Sequence, residues 1–340
     1  MTDNIDIRAC IQKIPAAHQL EFNNIHSTDH SESDRKILKA AFFAKKLWPK
    51  NTTLYIYFME DANKINRTSM ELMNETVDNT HKLDPLQETV NNMDIKEAIK
   101  KIVSERIDPI VSVKLSFTDN IDKSNIRISF DPSGGAWSLV GTDCSDAPKN
   151  EATMNLGWFD VGTTIHEFCH ALGMIHEHQN PYGNTIQWDE NRIYTWAKTT
   201  QGWDKATIKS NIIDKYSIDE INGSDYDPFS IMLYFFPASL TKNNVGTRQN
   251  FSLSPTDVLY LEKMYPVSEQ DSDTFYKKSY GMSISDALKL SGMPDNRVVS
   301  TSSDATFISK DNIWYYILIA LGFLILIYFV SKQNKNKRKK

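Results

Sequence analysis

The sequence predicts an α+β fold, a mixed twisted sheet backed by helices, and three observations lead there. Residues 111–117 and 126–130 each alternate apolar and polar side chains without a break, the pattern of half-buried strands. Ahead of them Ile95, Ile99, Ile102 and Val103 recur at helical spacing across residues 93–107. Ahead of that helix, residues 53–58 (TLYIYF) read as a core strand. A strand, helix, strand, strand order implies parallel and antiparallel neighbours in one sheet with helices against it.

Composition sets the outer bounds. At 340 residues the chain allows one large or two modest domains, and 40% hydrophobic with 24% charged residues is ordinary for a packed core. Six basic residues, Lys332, Lys335, Lys337, Arg338, Lys339 and Lys340, crowd the end, so the net −5 of the whole conceals −11 in the remainder. No basic stripe marks a nucleic-acid surface. Cys10, Cys144 and Cys169 are too few for a disulfide framework.

Taken in order, residues 1–44 show no apolar run with a cleavage site, so no signal peptide is expected. They form an N-terminal extension, with a solvated stretch at 27–34 and a free Cys10. His18, His26 and His30 read as exposed. Residues 60–92 are polar and read as an insertion carrying a helix near 67–78. Pro109 is the expected stop for the helix at 93–107. The glycine-punctuated stretch 134–143 should wrap the sheet edge, and residues 153–158 read as a short strand. Trp188, Trp196 and Trp203 punctuate a helical region and read as core, with a further helix at 205–211. Residues 253–266 carry a proline near the start and another as stop, the outline of a helix. Residues 268–312 are Ser- and Asp-rich and read as a polar tether, with a short helix at 284–290. Residues 313–330 are 18 apolar or aromatic positions without a charge, the lower limit for a transmembrane helix. Trp314, Tyr315, Tyr316 and Tyr328 sit near its ends, where interfacial aromatics belong. Residues 331–340 are a basic tail.

Half of the eight histidines fall between His166 and His178. His166-Glu167-Phe168-Cys169-His170-Ala171-Leu172-Gly173-Met174-Ile175-His176 has the form H-E-x-x-H-x-x-G-x-x-H. On a helix starting near 162–164, with a threonine as cap, His166 and His170 lie one turn apart and face one point. Two imidazoles so placed suit zinc. Glu167, about 100° around the helix, is placed as a general base rather than a ligand. Gly173 suits a left-handed helix end, after which the chain can return His176 as third ligand. Three protein ligands leave one position open, as in catalytic zinc sites. Cys169 lies off the ligand face, and His178 is expected exposed or beside the site.

The long motif, followed by Ser230-Ile231-Met232-Leu233-Tyr234 as a Met-turn, resembles the metzincin zinc proteases. The tyrosine two residues after Met232 resembles the astacin-like branch, and the resemblance runs from about 47 to 266. It implies a two-lobed zinc metalloprotease domain at 45–267, with matrixin-like features before the active-site helix. It further implies an edge strand at 153–158 bordering the cleft. One Zn2+ would be held by His166, His170 and His176, with Glu167 as base, Met232 as an apolar floor and Tyr234 as a hydroxyl that steadies the oxyanion. Glu177 matches the residue that receives a processed N-terminus, so 1–44 would be a pro-segment. Asn180 departs from the usual arginine, Leu233 from the frequent histidine, and the cysteine pairs of secreted astacins are missing. The function expected is a membrane-anchored zinc-dependent endopeptidase acting on a peptide or protein substrate, anchored once by its C-terminal helix in a viral or a host membrane. The rival is a non-catalytic membrane or envelope component that keeps the fold.

Overall fold

The computed structural model describes residues 11–13, 46–68, 83–180, 186–215 and 226–291. A six-stranded sheet is built from β1 (Ile11–Lys13), β2 (Thr53–Phe58), β4 (Lys114–Phe117), β5 (Ile126–Ser129), β6 (Ala136–Leu139) and β7 (Met154–Leu156). Its order is β1-β6-β7-β5-β2-β4. All neighbours run parallel except β6 and β7, so the expected mixed sheet is present. A separate parallel pair joins β3 (Asn66–Arg67) to β8 (Trp158–Phe159).

Strand alternation decides which face is buried. Leu54 and Ile56 of β2 and Ile126 and Ile128 of β5 are buried, while Tyr55 is exposed. Helix α1 (Leu86–Val90) and helix α2 (Ile95–Ile102) lie ahead of β4 in the chain, and α2 is capped by Asp94, which accepts the amide of Glu97. Ala98, Ile99 and Ile102 of α2 are buried. Regular α-geometry ends at Ile102, short of Pro109; a wider π turn at Val103–Ile107 and a 3-10 turn at Asp108–Ile110 finish the segment. The polar face of β5 is covered too. Arg127 is fully buried and donates to the carbonyls of Glu151, Cys144 and Ala147, folding the loop around helix α3 (Asp143–Asp146) onto the sheet.

Three expectations need correction here. Residues 153–158 do not form an edge: β7 is interior, between β5 and β6. The stretch read as a wrap holds a true strand, β6, bounded by Gly135 and Gly141 (φ 67° and 56°) and lying between β7 and the outermost β1. The polar insertion at 60–92 is partly built into the domain. Arg67 donates to the carbonyls of Val90 (3.1 Å) and Met93. The helix expected near 67–78 falls mostly outside the described residues.

The second half contains α4 (Val161–Ala171), α5 (Glu190–Gln201), α6 (Lys205–Ile208), α7 (Pro255–Met264), α8 (Glu269–Tyr280) and α9 (Ile284–Ser291). Trp188 and Trp203 join a core with Ile193, Ile208, Ile212, Tyr234 and Phe236, against which Trp196 packs. The tether reading of 268–312 fails over its first part. Ser268 caps α8, and Gly281 in left-handed geometry ends it. Phe275 and Tyr276 are buried, and the Tyr280 hydroxyl donates to Asp84 at 3.1 Å. The Ser/Asp composition that suggested a tether is here partly a set of caps. The described residues up to Ala287 form one compact unit. No helix among the described residues is long and apolar enough to cross a membrane, and the segment 313–330 lies outside them.

Candidate active site

Everything in the site is referred to α4, which is fastened at both ends. Asp160, not a threonine, is its N-cap: Oδ1 accepts the amide of Thr163 at 2.7 Å. A carboxylate there also meets the positive end of the helix dipole. Gln87 Oε1 accepts the amide of Val161 at 2.9 Å, and Thr68 Oγ1 donates to Asp160 Oδ2 at 2.8 Å. At the other end Gly173 (φ 103°) donates to the carbonyl of His170, and Met174 to that of Cys169. This paired pattern satisfies carbonyls the helix would leave bare. Three distant groups take the same carbonyl end. The Gly141 amide reaches His170 (3.0 Å), Trp48 Nε1 reaches Ala171 (2.7 Å) and the Tyr265 hydroxyl reaches Leu172 (2.6 Å).

His166 and His170 therefore leave a rigid helix on one face, and the glycine turn brings His176 back to them. All three are buried, and their ligand atoms lie within 4.8 Å of one another. The imidazoles of His166 and His170 are edge-on at 4.7 Å, and those of His170 and His176 at 4.5 Å. His166 Nδ1 donates to the Ile231 carbonyl and His170 Nδ1 to that of Met174, both at 2.8 Å. A carbonyl can only accept, so each Nδ1 carries the proton and each Nε2 keeps its lone pair. His166 Nε2 is buried with no hydrogen-bond partner, and the Nε2 atoms of His170 and His176 face each other at 2.9 Å. A buried, unpartnered Nε2 beside two further ring nitrogens is the arrangement a cation would satisfy. Burial also pushes the pKa of His166 down to about 4, and those of His170 and His176 well below the usual value. Neutral imidazoles of this kind fit zinc.

Glu167 is fully buried on the same helix, next to His166. Met232 is fully buried in the turn that supplies the Ile231 carbonyl. Tyr234 packs its ring 4.2 Å from that of His176 and 5.8 Å from that of His166. The structure thus brings together His166, Glu167, His170, His176 and Tyr234. Cys169 is buried off the ligand cluster, as expected.

Of the two places expected for His178, exposed or beside the site, it takes the second: it is buried, stacks on His176 (5.2 Å) and Tyr234 (4.8 Å), and its Nε2 is 2.8 Å from the Asn211 carbonyl. One feature was not anticipated, a carboxylate network next to the third histidine. Glu177 Oε1 accepts the Asn180 amide group at 2.9 Å and the Asp227 backbone amide at 2.8 Å. Asn180, at the position where similar enzymes carry arginine, is thus the carboxylate's partner. Desolvation raises Glu177 to about 8 and Asp257 to about 7, and holds Asp227 above its ordinary value.

Comparison with known proteins agrees with this geometry. The family model described as Astacin, a peptidase family, matches residues 80–266. The zinc metalloproteinase nas-13 of Caenorhabditis elegans is 27% identical over 146 residues, covering 39% of this chain and 29% of its own length. The zinc metalloproteinase nas-4 of the same organism is 28% identical over 148 residues, covering 39% and 42%. The chain thus spans less than half the length of these two relatives. A solved structure of myroilysin superposes with a TM-score of 0.50 at 27% identity, covering 66% of this chain and 97% of that one. A buried three-histidine cluster, placed by a glycine turn and a methionine turn within a family match over more than half the sequence, leads to one assignment: the chain belongs to the astacin family of peptidases.

Proposed function

We propose that this chain is a membrane-anchored zinc-dependent endopeptidase. The observation that carries the reading is the convergence of three buried, neutral imidazoles beside the buried Glu167. Zinc held by His166, His170 and His176 would supply a Lewis acid that polarises a peptide carbonyl and acidifies water. Glu167, one residue from the first ligand and not itself placed as one, takes the proton of the attacking water and returns it to the leaving amine nitrogen. The Tyr234 hydroxyl donates to the carbonyl oxygen as charge grows there. Glu167→Ala should keep the metal and lose about 10²–10⁴-fold in turnover, measured on a peptide library alongside metal content. Near-normal turnover would mean that another base operates, and no cleavage by the wild type would favour the non-catalytic rival.

The N-terminal extension has an observation of its own. In β1, Ile11–Lys13 pair in parallel with Trp137–Leu139 of β6, outermost in the sheet. Extended peptides bind such an edge through main-chain hydrogen bonds, so β1 would occupy a substrate's place. Residues 1–44 are proposed to restrain activity until removed. Equal activity of the full chain and of a chain beginning at Lys45 would dismiss this. The anchor at 313–330 with its basic cytoplasmic tail is proposed on hydropathy and charge alone. Protease protection of intact membranes, with tags at both ends, should lose the C-terminal tag first from the cytosolic side.

A further inference from the structure

His166 is aimed by a peptide group, and that peptide group is itself held. The carbonyl receiving His166 Nδ1 belongs to the peptide between Ile231 and Met232. The amide of the same peptide, Met232 N, donates to Ser230 Oγ at 3.0 Å. Because the peptide is planar, fixing its N–H fixes the direction of its C=O. Ser230 Oγ in turn donates to Asp257 Oδ1 at 2.6 Å, and the Ile231 amide donates to Asp257 Oδ2 at 2.8 Å. The carbonyl of Met232 accepts the amide of Glu177 at 3.0 Å. The same turn therefore holds the chain immediately after His176.

Asp257 has an ordinary task as well. It sits at the third position of α7 and closes a capping box with Ser254: Oδ2 accepts the Ser254 amide (2.9 Å), and Ser254 Oγ accepts the Asp257 amide (3.0 Å). A capping box needs one acceptor directed at one backbone N–H. Asp257 takes three donors on two oxygens, and two of the three come from the turn beneath the metal ligands. The side chain is buried, so these contacts do not compete with bulk water.

We propose that Asp257 is a positioning residue for the metal site: through Ser230 Oγ and the Ile231–Met232 peptide it sets the plane of the His166 imidazole and the aim of its Nε2. This rests on the zinc reading of the three histidines. Groups that orient a metal-bound imidazole in this way change metal affinity by about 10–100-fold when removed.

The experiment measures zinc release to a competing chelator and the visible spectrum of the cobalt-substituted protein, using the full chain in detergent. Asp257→Asn and Ser230→Ala should each weaken zinc about 10–100-fold and change the cobalt bands, which report ligand geometry. Ser254→Ala breaks the capping box and leaves the route to His166 intact. It should lower the thermal midpoint while zinc affinity stays within about twofold, well below the cost of losing an orienting partner. The double variant Asp257→Asn/Ser230→Ala should lose no more zinc affinity than the worse single, since both act through one chain of contacts. Zinc loss in Asp257→Asn no greater than in Ser254→Ala, or full additivity in the double variant, would overturn the positioning role. A wild-type chain that holds no zinc would overturn it together with the zinc reading. A zinc-replete wild type with zinc-replete variants would overturn the positioning role alone.

Discussion

Residues 46–160 and residues 172–266 meet on the same helix and are held together by different means. The first stretch is organised by periodicity. Apolar and polar residues alternate along β4 and β5, and backbone groups pair with backbone groups along the ladders. The second has no strand among its described residues, apart from a lone bridge between Trp188 and Thr241. Its backbone is held by side chains instead. Asp227 accepts the Phe229 amide (2.8 Å), Asn250 Nδ2 donates to the Ser230 carbonyl (2.8 Å) and Thr247 Oγ1 accepts the Phe236 amide (2.6 Å). A ladder spreads its stability over many interchangeable groups. A loop held by single side-chain groups concentrates it, and here those groups hold the stretch from Phe229 to Phe236 that carries Met232 and Tyr234. The irregular half should therefore be the less tolerant of small polar changes.

The largest effect tests what braces the two halves. Ending the chain at Pro266 removes α8, with buried Phe275 and Tyr276, and the Ile284 that follows. At about 1.5–3 kcal/mol per buried side chain, denaturant unfolding should show a loss of about 5 kcal/mol or more. An unchanged midpoint would mean the family boundary is also the folding boundary. Next is Thr247→Val, nearly isosteric, which strands the Phe236 amide and the Tyr234 carbonyl. Unpaired buried groups cost about 1–3 kcal/mol each, so about 3 kcal/mol should go, with turnover falling because Tyr234 is held by that contact. Ile128→Val in β5 removes one buried methylene from the regular half and should cost about 1 kcal/mol. If the two valine variants unfold alike, the contrast between the halves is broken. The smallest effect concerns three N-x-S/T triplets, those starting at Asn51, Asn66 and Asn250. Passed through a glycosylating compartment, exposed Asn51 and Asn66 should accept glycan, whereas Asn250, whose Nδ2 serves the carbonyls of Pro228 and Ser230, should not. Peptide mapping that finds glycan at Asn250 would show that this loop opens.

Legibility in the sequence followed the same division. The bounds of β2 and the existence of α2, β4 and β5 followed from periodicity, because a buried face leaves a repeat. The three-histidine cluster is readable because metal geometry fixes the spacing of its members. Three things escaped. Strand β6 was hidden by the glycines that bound it, and β7 was taken for an edge because strand order is a long-range property. The two capping carboxylates, Asp160 and Asp257, were passed over because a buried acid and a surface acid are spelled alike. Helix α8 was missed because its caps and exposed faces gave it the composition of a linker.

The anchoring of Lys46 carries a consequence for how the chain could be cut. Its ammonium meets Asp143 at 2.5 Å in a buried pair, and its carbonyl accepts the Thr142 amide at 2.9 Å. A side chain at Gly141 would come within 1.8 Å of that same carbonyl oxygen, so the two backbones are pressed together there. Two residues on, Trp48 closes the carbonyl end of α4. A protease that trimmed past Lys46 would take away part of the seat of the helix that carries His166 and His170. A cut that frees the edge of β6 must fall after Lys13, and a cut that spares the helix must fall before Lys46. If the proposed removal of the extension occurs, these contacts bracket it from both sides, and the new terminus would fall within 14–46.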